Sequence, residues 1–174
     1  HPAIRIELSH AFTTTLRHHF KHLVYTGPVD AFFEQCYGAL PYRSLRFEHE
    51  VIPDVDFQQS VGTINFPREH AYTRITEFKH LTGQVCQGTA LVREYPCENG
   101  DPYYPVPTPE TDACYTLYRQ RCHREPDVTF VGRLAQYRYY NMDQVVAAGL
   151  KKSQQLIEGG LAWKNSSLFS ARAG

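Results

Sequence analysis

The sequence predicts an α+β chain built around an antiparallel meander sheet, and three observations carry that reading. From residue 42 the pattern alternates, with Leu45, Phe47, His49 and Val51 on one face and Ser44, Arg46, Glu48 and Glu50 on the other. That is the two-residue period of a half-buried strand. Three further β-prone runs, 61–66, 72–80 and 90–95, follow at hairpin-like spacing, separated by Pro67, Gly83, Gly88 and Pro96. Helical patterns stand on either side of this block.

Taken in order, residues 3–8 alternate weakly and predict a short strand, and Phe12, Leu16 and Phe20 recur at helical spacing. Residues 22–25 form a brief β-prone run ending in the turn signal Thr26-Gly27-Pro28. Asp30 then caps a predicted helix through Phe32, Phe33, Cys36 and Tyr37, which Gly38 closes. On the third strand of the sheet, Tyr72, Arg74, Thr76, Phe78 and His80 are expected on one face, a setting suited to an anion. Residues 101–111 carry Pro102, Pro105, Pro107 and Pro109, which exclude a helix or central strand and predict a stiff loop. Residues 112–123 read as helix and 128–131 as a buried strand ending at Gly132. The strongest helical pattern starts at Asn141, where Met142, Val145, Val146, Gly149, Leu150, Ser153 and Ile157 recur at steps of three and four, and Gln144 stands where a capping-box partner belongs. Past Gly159-Gly160 the pattern is lost, and 159–174 reads as a tail.

Composition narrows the chemistry. The 174 residues hold 18 Lys and Arg against 18 Asp and Glu, so no net field draws in a nucleic acid or an anionic membrane; a phosphate ligand needs local arginines instead. The longest apolar stretch, 145–150, is far shorter than the roughly 20 residues that cross a bilayer. Five cysteines without a C-x-x-C pair argue against a disulfide framework and a closed zinc site, and favour a reducing cytoplasm. The start at His1-Pro2 lacks methionine and a signal-type hydrophobic region, so an upstream part is expected. Twelve tyrosines stand out; a ring with a polar tip can stack on a flat ligand and hydrogen-bond it, although a β-rich core also uses such residues.

The segment 130–144 is the most informative. A buried strand stops at Gly132, where backbone can approach a ligand, and Arg133, Tyr137, Tyr139 and Tyr140 lead into a helix N-terminus with free N–H groups. His18, His19 and His22 have metal-compatible spacing but no acidic partner nearby, so a solvated face is preferred and no metal is assigned. Asn165-Ser166-Ser167 matches a glycosylation acceptor that has no meaning in a cytoplasmic setting. Nucleophile-elbow, P-loop, zincin and dinucleotide fingerprints are absent from the chain.

Five ordered blocks are specific together. Residues 25–33 (YTGPVDAFF), 42–48 (YRSLRFE), 72–80 (YTRITEFKH), 101–106 (DPYYPV) and the Gly132 segment resemble the C-terminal half of UDP-galactopyranose mutase. The resemblance runs from about residue 24 to 150 and implies a flavoenzyme, an isomerase, interconverting UDP-galactopyranose and UDP-galactofuranose through a flavin N5–sugar adduct on reduced FAD. It implies an incomplete FAD-binding α/β layer, comprising a strand and helix in 1–40 and a returning helix–strand–helix in 112–158. The antiparallel substrate-side sheet would occupy 41–111. Arg74 matches the arginine that holds the pyrophosphate and stabilises departing UDP, since a guanidinium grips phosphate bidentately. Tyr104 and Tyr139 match phosphate-contacting tyrosines, and Asn65 a nucleotide contact. Arg43, Gly132, Arg133, Asn141 and Met142 match the flavin-binding part. Two departures stand out, Asn141 where many members have Asp and Val131 where they have Gly.

The same resemblance places the dinucleotide fingerprint and the mobile-loop arginine in an N-terminal half of the protein that is not in this sequence. The isolated chain is then expected neither to hold FAD nor to turn over. A homo-oligomer is allowed, with no nucleic-acid or membrane partner. Two other readings stand beside this one: a non-catalytic nucleotide-sugar binding module, and a fragment of an amine-oxidase-like flavoprotein. A pyrophosphate clamp has no use in amine oxidation, which favours the first two readings over the last.

Overall fold

A computed structural model describes residues 2–159; the rest of the predicted tail, with the Asn165 acceptor, lies outside the described residues. The chain divides into two compact units, His1–Tyr37 with Thr116–Gly174, and Gly38–Tyr115.

In the first unit a parallel pair, β1 (Leu23–Tyr25) and β7 (Val128–Phe130), runs in register from Leu23 opposite Val128 to Tyr25 opposite Phe130. Short apolar runs of this kind need cover, and aromatic rings supply it. Phe32 lies 4.9 Å from each of Tyr25, Phe33 and Phe130, and Phe33 stacks on the wholly buried Tyr118 at 6.2 Å. Such tilted and edge-to-face pairs add to the area they bury. The predicted strand at 3–8 does not form: Ile4, Ile6 and Leu8 are exposed, and alternation without a strand to pair against fixes nothing. A six-residue 3₁₀ helix, Thr14–His19, replaces the longer helical turn expected around Phe12 and Phe20. Helix α1 (Val29–Phe32) starts one residue before Asp30, which is buried rather than exposed as a cap. It then gives way to turns with Glu34 and Gln35 at positive φ before Gly38 (φ +98°).

In the second unit β2 (Tyr42–Ile52), β3 (Thr63–Asn65), β4 (Arg74–Glu77), β5 (Thr89–Cys97) and β6 (Tyr104–Pro105) form one antiparallel sheet in the order β3-β4-β5-β2-β6. A plain meander would put β2 beside β3. Instead β2 pairs with β5 over nine registered positions, Ser44 opposite Cys97 through Ile52 opposite Thr89. The two longest strands gain far more ladder bonds together than β2 could gain from three-residue β3. The alternation along β2 is real, yet its burial is not as expected: Val51 is exposed and Ser44, on the other face, is buried. β4 ends three residues sooner than the run 72–80 suggests, because helix α2 (Phe78–Thr82) begins at Phe78. The proline-rich loop contains two-residue β6 on the sheet edge, where Pro105 removes no needed donor.

Gly88, before β5, must be glycine. Its φ is +76°, and a Cβ there would meet the Ile52 carbonyl oxygen at 2.7 Å and Pro53 at 2.9 Å. Helix α3 (Pro109–Cys122) starts three residues earlier than expected, with proline at its first position. Reciprocal bonds between Thr108 and Thr111 secure that start: the Thr108 amide donates to the Thr111 hydroxyl at 2.7 Å, and the Thr111 amide to the Thr108 hydroxyl at 3.3 Å. The boundary between the units falls inside this helix. Helix α4 (Met142–Glu158) starts where predicted, with the Asn141 amide donating to the Gln144 side chain at 2.9 Å in a capping box. Among the described residues no helix is long and apolar enough to cross a membrane, and no group of His, Cys, Asp and Glu could hold a metal.

Candidate functional site

Strand register decides what can meet in the sheet unit. Asn65 stands opposite Arg74, Arg74 opposite Glu94, and Glu94 opposite Phe47, a single row across four strands. Residues directly opposite one another share a face. The Arg74 Nε–H donates to Asn65 Oδ1 at 2.9 Å, and its terminal nitrogen lies 3.5 Å from Glu94 Oε2. The guanidinium is thus steered from both sides, and its side chain keeps 41% of its surface exposed, as an anion-binding arginine needs. Glu94 was not legible beforehand, since only the β4–β5 pairing brings it to Arg74.

The expected company of Arg74 is otherwise different. Tyr72 precedes β4, and its ring packs on His70 at 4.6 Å and Tyr95 at 5.8 Å. Phe78 and His80 belong to α2. Only Thr76 shares the strand face with Arg74, because α2 must turn away for Lys79 and His80 to reach the loop before β3.

Arg43 stands opposite Tyr104 at the β2–β6 edge. The period along β2 puts Arg43 on the same face as Phe47, four residues away, about 13 Å at 3.3 Å per residue. Tyr103 fills part of this interval, its ring 5.7 Å from Phe47. One face of the sheet therefore carries Asn65, Arg74, Glu94, Arg43 and Tyr104. The opposite face carries charges that satisfy each other: Arg46 lies over the Tyr95 ring at 4.1 Å and pairs with Glu48, and Arg93 pairs with Glu50 at 2.7 Å.

In the other unit β7 leads to Gly132 (φ +102°), where an added Cβ would have only the Thr26 Cβ near it, at 3.9 Å. The backbone is open there to a flat ligand. The Gly132 amide donates to Gln136 Oε1 at 3.2 Å, and the Arg133 Nε–H donates to the Tyr140 carbonyl at 2.8 Å. Arg133 also lies 6.0 Å from the Tyr139 ring, so the structure brings these two together. Tyr137, buried and at φ +42°, is the strained point of this turn. Asn141 and Met142 open α4, with Met142 and Tyr139 exposed. A cavity of about 310 Å³ in this unit is lined by Arg17, His18, Phe32, Phe33, Arg121 and Glu125 among others, and no predicted site residue lines it.

Comparison with known proteins decides the family. The family description UDP-galactopyranose mutase matches residues 1–139. The chain belongs to the UDP-galactopyranose mutase family. A probable UDP-galactopyranose mutase of Klebsiella pneumoniae is 36% identical over 161 residues, covering 90% of this chain and 42% of that protein. A dTDP-fucopyranose mutase of Escherichia coli is 34% identical over 143 residues, 80% of this chain and 38% of the relative. A UDP-galactopyranose mutase of Mycoplasma pneumoniae is 33% identical over 147 residues, 79% of this chain and 37% of the relative. The chain spans about two fifths of the length of these relatives.

Proposed function

We propose that the chain supplies the pyrophosphate-binding face and part of the flavin-binding layer of a UDP-galactopyranose mutase, an isomerase of nucleotide sugars serving galactofuranose-containing polymers. Family membership supports the class. The row Asn65–Arg74–Glu94 is the observation that carries the chemistry, for it presents a positioned, half-exposed guanidinium on a sheet face.

In this reading Arg74 binds the diphosphate of UDP-galactose and neutralises the charge that grows on UDP as its bond to the anomeric carbon breaks. Asn65 orients Arg74 and touches the nucleotide, and Tyr104 and Tyr139 donate hydroxyl hydrogen bonds to phosphate. FAD, when bound in reduced form, supplies the nucleophile for the sugar's anomeric carbon. The turn at Gly132 fits such a ring, since its α-carbon is open where a side chain would obstruct approach. Arg133, Asn141 and Met142 would line it, Arg43 would contribute a charge near it, and the first amides of α4 would favour negative charge on the reduced ring. Asn141 preserves the cap without the carboxylate found in many members. Because the chain spans about two fifths of its relatives' length, it holds neither FAD nor activity by itself in this proposal.

A second substrate is favoured by one comparison, the dTDP-fucopyranose mutase relative. Both substrates carry the same diphosphate, so Arg74 serves either. The test is titration of the ¹⁵N-labelled chain with UDP and dTDP. We expect UDP to move the Arg74 Nε–H resonance and Arg74→Ala to weaken binding at least about tenfold, the scale of a lost charge-assisted hydrogen bond. UDP binding unchanged by Arg74→Ala would overturn the role given to this residue. Stronger response to dTDP would reassign the nucleotide.

A further inference from the structure

We propose that two buried charges on the far side of β4, Glu77 and Lys79, are positioning residues that set the Asn65–Arg74 clamp; the inference rests on the pyrophosphate reading of Arg74. Glu77 ends β4 and is fully buried. Its carboxylate accepts hydrogen bonds from the backbone amides of Gln58 at 2.9 Å and Gln59 at 2.8 Å, and from the Thr89 hydroxyl at 2.6 Å. Its own amide donates to the Gly62 carbonyl at 2.8 Å. Lys79, also buried, donates to the Cys86 carbonyl at 2.8 Å, the Gly88 carbonyl at 3.0 Å, the Asp56 carbonyl at 3.2 Å and the Asp56 carboxylate.

Every one of these bonds to residues 56–62 holds the segment that feeds β3. That strand has only three residues, paired to β4 and to nothing on its other side in the sheet. So short an edge strand is weakly held by its own ladder. Its register depends on where the preceding loop is tied, and Asn65 is its last residue. A slip of one position would turn Asn65 to the opposite face and leave the Arg74 Nε–H without its acceptor. Breaking a buried charge network leaves its remaining charge uncompensated, so any placement of the loop that gives up these bonds is penalised. Glu77 and Lys79 therefore act through Asn65, not on a ligand.

The test reads the Arg74 Nε–H resonance of the ¹⁵N-labelled chain, which reports its hydrogen bond whether or not a ligand binds. In Glu77→Gln an N–H₂ group faces one of the two loop amides, and the resonance should move toward its position in Asn65→Ala. Thr89→Val, which removes a single bond, should move it less in the same direction, and it takes over as the readout if Glu77→Gln fails to fold. Inorganic pyrophosphate should bind Glu77→Gln about two- to tenfold more weakly, and the double variant with Asn65→Ala no more weakly than Asn65→Ala alone. A wild-type resonance in folded Glu77→Gln and Thr89→Val, or additive losses in the double variant, would overturn the proposal. Absence of pyrophosphate binding by the wild-type chain would instead overturn the function given to Arg74, and the resonance shifts would still decide the positioning role.

Discussion

Glu77 shows how a single carboxylate can tie acid sensitivity to a loop. Burial alone would push its carboxyl up, but the Thr89 hydroxyl, the two backbone amides and the nearby His80 outweigh burial and hold it below the usual carboxylate range. A group depressed in the folded chain binds fewer protons there than in the unfolded chain. Its stabilisation is thus complete above an unfolded pKa of about 4.3 and is lost as pH falls through the lower native value. Urea unfolding at a series of pH values from neutral downward should show a steep loss of stability in the wild type over that acidic window. Glu77→Gln should start less stable and show a shallower loss. An unchanged slope would mean that other carboxylates carry the effect.

At the scale of elements, the start of α4 makes a clear prediction. No residue of this helix is fully buried, so its first turn depends on the Asn141–Gln144 box more than on packing. Asn141→Ala should cost about 1 kcal/mol and lower the helical signal in far-ultraviolet circular dichroism. Asn141→Asp should retain it, since a carboxylate caps equally well and meets the helix dipole favourably. The same contrast explains what could be read in advance. The α4 start, β1, β7 and the alternation along β2 are written in neighbouring residues. The β2–β5 pairing, the early end of β4 and the contact of Arg74 with Glu94 depend on residues distant in sequence. Lys79 looks like part of a strand until one knows that its amine must reach carbonyls in two separate loops. Arg74, Asn65 and the Gly132 turn could be singled out as candidates because their motifs are local; the partners the structure gives them could not.

For the whole molecule, charge balance sets the limits of recognition. With 18 basic and 18 acidic side chains, binding to a polyanion has no long-range field behind it. The chain should therefore show no retardation of duplex DNA in a mobility-shift assay at about 150 mM salt, where the smaller gain from counterion release weakens the binding of even basic proteins. Appreciable retardation would reveal a clustered positive surface not implied by this composition. The diphosphate recognition proposed for Arg74 is compatible with neutrality because it would be made by a few groups at short range, and a guanidinium shared between an amide oxygen and a carboxylate is already close to such a balance.

The β1–β7 pair carries a consequence for biosynthesis. Leu23 waits for Val128, a partner about 105 residues further along. At about 5–20 residues per second, the ribosome leaves β1 without its neighbour for roughly 5–20 seconds. During that interval Phe32 and Phe33 also lack Phe130 and Tyr118. The sheet between them is fully synthesised before β7, so it can pair while β1 still waits, and chaperone contact in that interval should concentrate on the segment carrying Phe32 and Phe33.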